Sequence, residues 1–114
     1  MNSNDYKFLG EFQDVAQRAY QIARDHGFHE LPNNFGERIA LMHSELSEAL
    51  EAHRYGNQPD DHIPSYTGIE AEFADVIIRI MDASVEFNLD VAGAILAKME
   101  YNSDRPHKHG GKAY

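Results

Sequence analysis

The sequence predicts an all-α fold, and three observations carry that expectation. Apolar residues recur at three- and four-residue steps through four segments, breakers or capping residues separate those segments, and no stretch alternates convincingly with period two. At 114 residues the chain has the usual length of one domain with one modest core, so residues 1–114 are expected to form a single domain.

The first helix is expected over Asn4 to His26, where Phe8, Phe12, Val15, Ala19 and Ile22 form a stripe and Gly27 is the stop. A loop from Phe28 to Asn33, with Pro32 in it, leads to a second helix that starts near Asn34, a good cap. That helix runs through Ile39, Met42, Leu46 and Leu50 to Tyr55, and Gly56 ends it. Residues 57–65 hold two prolines and the pair Asp60 and Asp61, which is turn chemistry. The third helix begins after Thr67 and reaches about Phe87. Asn88 interrupts, Asp90 caps a fourth helix to about Ser103, and Pro106 forbids continuation.

On the third helix, at about 100° per residue, Ile69, Phe73, Val76, Ile80 and Ala83 form one apolar stripe. Ala74, Ile78, Met81 and Val85 form a second, nearly opposite. A helix apolar on two sides needs partners on both, and this chain has few helices to offer. The third helix is therefore expected to lie at a subunit interface as well as in the core; the central helix of a monomeric bundle would read the same way.

Nineteen acidic against ten basic residues give a formal charge of −9, which argues against binding a nucleic-acid polymer through a basic surface. A small phosphorylated ligand stays open, because divalent cations held by carboxylates reverse the local field. Without cysteine there is no disulfide, thiolate metal site or thiol nucleophile. Met1 to Asp5 are polar, and no run approaches the roughly 20 apolar residues of a membrane span, so a cytoplasmic protein without a membrane partner is expected.

Between the two stripes of the third helix lie Glu72, Asp75, Arg79 and Asp82 on one ridge. The second helix presents Glu45 and Glu48 at the same i, i+3 spacing, away from its own stripe. If the two helices are antiparallel neighbours, the pairs face each other and offer the oxygen ligands that hard divalent cations take. Either pair alone fits a solvated acidic face supported by partners such as Asp75 with Arg79. Asp82 reads as an extra ligand or as a partner for Arg79. On the fourth helix, Lys98, Asn102 and Arg105 form a polar ridge running into a basic tail, His107 to Lys112, which suits a polyphosphate and equally an ordinary helix surface.

The run from Asn34 to Arg54, then Glu70-Ala-Glu-Phe-Ala-Asp75, then Lys98 to Pro106, resembles the MazG-like branch of the all-α nucleoside triphosphate pyrophosphatases, over roughly three quarters of the chain. The family's Glu-x-x-Glu, spacer, Glu-x-x-Asp pattern falls on Glu45, Glu48, Glu72 and Asp75, and its downstream Lys and Asn-x-x-Arg element on Lys98, Asn102 and Arg105. The resemblance implies a four-helix MazG-like bundle that packs into a dimer or a tetramer made of two dimers. It also implies hydrolysis of a nucleoside triphosphate between the α and β phosphates, with Mg²⁺ (Mn²⁺ as a substitute) on the four acidic residues and phosphate contacts from Lys98 and Arg105. Asn102 would help to hold the nucleotide.

A dimeric dUTPase or a phosphoribosyl-ATP pyrophosphohydrolase would share this chemistry. A silent helical module that senses nucleotide or metal would share the residues without turnover. None of the seven histidines completes a Glu-x-x-His or His-Glu-x-x-His pattern, so neither a di-iron nor a zincin site is expected. Phe28, His29 and Phe35 are candidates for contacts to the base, and the two phenylalanines serve equally as an aromatic staple of the loop onto the core.

Overall fold

The structure, a computed structural model, describes residues 1–31 and 34–105. Among these it is all-helical: α1 Ser3–Asp25, α2 Phe35–Arg54, α3 Gly68–Glu86 and α4 Val91–Ser103. The described residues form two compact units, one of Val15–Leu89 and one of Met1–Asp14 with residues 90–105. No helix among the described residues is long and apolar enough to cross a membrane.

The helix ends follow local chemistry, which is why they agree with expectation to within a residue or so. Asn34 accepts a hydrogen bond from the Glu37 backbone N–H, Asp90 from that of Gly93, and Thr67 forms a reciprocal capping box with Glu70. Each cap satisfies donors that the first helical turn leaves without partners. At the other end, Gly27 (φ +85°) and Gly56 (φ +83°) adopt the left-handed conformation that closes α1 and α2. The reversed chain is then tied back, Phe28 N–H to Ala23 C=O at 3.0 Å and Asn57 N–H to Ala52 C=O at 2.7 Å.

The connection between α2 and α3 is pinned at both ends. Asp60 accepts from the His62 and Ile63 backbone N–H groups, Pro59 and Thr67 form an antiparallel bridge, and Asn57 Oδ1 accepts from the Ile69 N–H. This returns the chain so that α2 and α3 pack antiparallel in a single register: Arg38 meets Glu86, Glu45 meets Arg79, and Gly68 lies beside Ala52.

The face that α2 turns to α3 is the one that carries Glu45, as facing carboxylate pairs require, and the apolar stripe of α2 lies elsewhere. Glu45 and Ala49 are buried, whereas Leu46 and Leu50 of the apolar stripe are 47% and 51% exposed, and Ile39 is also exposed. On α3, Ala71, Ala83 and Ser84 are buried, while Phe73 and Ile78, one from each expected stripe, are 52% and 47% exposed. The physical reason is that α2 and α3 meet along small and charged side chains whose partners lie on the opposite helix. Small residues let the backbones approach, so no large side chain is fully buried among the described residues.

Candidate metal centre

The antiparallel register of α2 and α3 sets the polar ridges of the two helices against each other. Glu45, from the middle of α2, is 8% exposed and faces Glu72 and Asp75 on α3. One carboxylate oxygen from each of these three residues lies within 4.8 Å of the others. Glu48, the fourth residue expected here, is exposed and outside this tight group, yet close enough to hydrogen-bond with both Glu45 and Glu72.

Crowding carboxylates has electrostatic consequences that differ by residue. Burial, reinforced by hydrogen bonding with Glu45 and Glu48 and by their charges, pushes Glu72 up to about 8. At Glu45 burial also opposes the charge, but hydrogen bonds from Glu72, Arg79 and Glu48 outweigh it and hold the pKa below the usual value. Asp75 is the most open of the three; desolvation of its carboxyl and then the Glu45 charge raise it. Arg79 donates from Nε and Nη2 to one Glu45 oxygen, at 3.1 and 3.0 Å. It pairs across the helices, therefore, and not with Asp75 or Asp82 on its own ridge.

The donor set suits a hard divalent cation. All candidate ligands are carboxylate oxygens, and Glu72 Oε2 is buried with no hydrogen-bond partner among the described residues, an acceptor that a proton or a cation would satisfy. Beside these carboxylates a cavity of about 220 Å³ is lined by Ala19, Ile22, Ala23, Phe28 and Ile78 on its apolar side. Glu45, Asp75, Arg79 and Asp82 line its polar side.

Next to the cavity runs a polar network that sequence reading largely missed. His29 places Nε2 2.8 Å from Asp82 and Nδ1 2.8 Å from Glu86, under the Tyr20 ring at 4.9 Å. Arg38 spans both Glu86 oxygens at 2.9 and 3.1 Å and also donates to the Phe28 carbonyl. The Arg38 hydrogen bond keeps Glu86 below the usual carboxylate range even though burial works against its charge. Burial raises Asp82, against the pull of His29. This network fixes the segment carrying Phe28. His29 is thus occupied by carboxylates, Phe28 lines the cavity, and Phe35 packs edge-on against Phe87 at 4.9 Å, the staple that was its alternative. The available signal was helical phase: Glu86 continues the Asp82 ridge by one turn, and Arg38 lies two turns before Glu45.

Lys98, Asn102 and Arg105 belong to the other unit and are exposed. Lys98 Nζ and Arg105 Cζ lie 5.1 and 5.7 Å from the Tyr101 ring centroid, so both cations engage the same aromatic ring. The expected tail contacts of His107 to Lys112 lie outside the described residues. Comparison with family models, curated proteins and solved structures finds no match to this chain.

Proposed function

We propose that this chain is a magnesium-dependent nucleoside triphosphate pyrophosphohydrolase, cleaving a nucleoside or deoxynucleoside triphosphate between the α and β phosphates to give the monophosphate and pyrophosphate. The observation that carries the reading is the meeting of Glu45, Glu72 and Asp75 within 4.8 Å, with a buried Glu72 oxygen lacking a protein partner. Two antiparallel helices hold these groups, which is the rigidity a preorganised site requires.

Glu45, Glu48, Glu72 and Asp75 would hold Mg²⁺, or Mn²⁺ in its place. The bound ion supplies charge neutralisation at phosphate oxygens and an activated water for attack at phosphorus. The chain's own residues orient the ligand around that chemistry. Ala19, Ile22, Ala23, Phe28 and Ile78 give an apolar wall on one side of the carboxylates that would accept the uncharged part of a nucleotide. Lys98, Asn102 and Arg105 are assigned to the phosphate chain by the family resemblance.

The same reading makes the protein a cytoplasmic homo-oligomer, a dimer or a dimer of dimers. The exposed Ile39, Leu46 and Leu50 on α2, with Phe73 and Ile77 on α3, support it, because apolar side chains in helical register are what a partner copy would cover. The test is a panel of canonical, deoxy and modified nucleoside triphosphates with Mg²⁺, read by pyrophosphate release. Turnover selects the enzyme; binding without turnover selects a nucleotide-sensing module and overturns the proposal.

A further inference from the structure

Two arginines cross between α2 and α3, and they hold their carboxylates differently. Arg38 spreads over both oxygens of Glu86, the bidentate geometry of a permanent pair, and its side chain is 15% exposed. Arg79 directs both Nε and Nη2 at a single oxygen of Glu45 and is 29% exposed, at the edge of the cavity. Glu45 is also one of the three carboxylates that converge, so Arg79 sits on a group a divalent cation would need. The positive charge it brings offsets repulsion that Glu45, Glu72 and Asp75 would otherwise exert on one another.

We propose that Arg79 is a placeholder cation: it neutralises Glu45 while no divalent metal is bound, competes with the metal for that carboxylate, and on displacement becomes the cavity's guanidinium for a triphosphate. The inference rests on the metal-centre reading above and adds a role for a residue outside the four carboxylates and the Lys98, Asn102 and Arg105 element. It separates cleanly from a merely supporting role, because the two predict opposite signs. A guanidinium that only orients Glu45 would help metal binding, and its loss would weaken it. A competing guanidinium hinders metal binding, and its loss strengthens it.

The experiment is Mn²⁺ alone titrated into wild-type protein, Arg79→Gln and Arg79→Met, with free Mn²⁺ followed by electron paramagnetic resonance. Binding of a non-hydrolysable nucleoside triphosphate analogue is then measured at saturating Mn²⁺. Removing a charge-assisted pair from the competing side predicts Mn²⁺ affinity raised on the order of tenfold in both variants. Affinity for the triphosphate analogue is expected to fall by roughly the same factor, since a guanidinium–phosphate contact is of the same kind. Arg79→Lys keeps the charge and guards against misfolding of the neutral variants. It cannot reproduce the two N–H groups on one oxygen, so a several-fold gain in Mn²⁺ affinity is expected there too.

Unchanged or weaker Mn²⁺ binding in folded variants overturns the placeholder role. Tighter Mn²⁺ binding with no loss of analogue affinity overturns the transfer to phosphate. If every form, wild type included, fails to bind Mn²⁺, the metal centre itself is wrong and the inference falls with it.

Discussion

Titrating the metal-free protein with Mg²⁺ at pH 6, 7 and 8 is expected to reveal an affinity that climbs with pH and a proton released on binding. Glu72 carries the effect. Burial and the neighbouring Glu45 and Glu48 raise it from 4.5 to about 8, so the folded metal-free chain keeps a proton there at neutral pH. A metal takes the ionised carboxylate. With a pKa of about 8 the ionised fraction is about 1% at pH 6, about 10% at pH 7 and about half at pH 8, so affinity should rise about 50-fold from pH 6 to 8. The slope is close to one proton per metal at the lower end and flattens above pH 8. Asp75, also raised by burial and then by the Glu45 charge, works in the same direction. Isothermal titration calorimetry in buffers of differing ionisation enthalpy counts the protons directly. Equal affinity at pH 6 and 8 with no proton released would refute the assignment of a crowded, protonated Glu72 to the metal centre. The same shift has a stability sign. Folding retains a proton that the unfolded chain gives up above about 4.5, so Glu72 makes the metal-free protein less stable as pH rises from there towards 8.

Other perturbations follow from the same contacts. Arg38→Ala strips the bidentate partner from Glu86, whose side chain is 3% exposed, and should cost about 3 kcal/mol in urea denaturation at pH 7. Glu86 is held below its usual pKa, so its contribution is present above about 4.5 and lost as pH falls through the lowered value; the Arg38→Ala penalty should shrink in acid, and a pH-independent penalty would argue against the pair. Thr67→Ala removes the capping box of α3 and should cost about 1 kcal/mol in the same assay, with no change in Mg²⁺ affinity. Sedimentation velocity at micromolar concentration should report a dimer or larger, and Leu46→Glu with Phe73→Glu should return it to monomer; a wild-type monomer would remove the oligomer from the proposal.

Legibility from sequence followed the range of the interaction. Helix ends were readable because Asn34, Thr67 and Asp90 cap through groups three residues away, and Gly27 and Gly56 supply the left-handed turn without reference to anything distant. The meeting of Glu45 with Glu72 and Asp75 is readable from antiparallel α2 and α3, since i, i+3 spacing puts each pair on one ridge. Periodicity did not show how far the apolar stripe of α2 is covered: Leu46 and Leu50 are half-exposed, and the helix contact runs along Glu45 and Ala49, because partners such as Arg79 across the interface decide it and periodicity carries no information about them. His29 is the extreme case: its carboxylate partners are 53 and 57 residues away, and no local pattern encodes such a pairing.

The central claim is that the carboxylates shared by α2 and α3 hold the metal for triphosphate cleavage. Its most direct test is pyrophosphate release from a nucleoside triphosphate panel with and without Mg²⁺, in wild type, Glu72→Gln and Asp75→Ala. The account predicts Mg²⁺-dependent release by wild type on at least one nucleotide, and a loss of at least a hundredfold in both variants while their thermal unfolding stays cooperative. Equal release by folded variants and wild type, or release that ignores Mg²⁺, would contradict it.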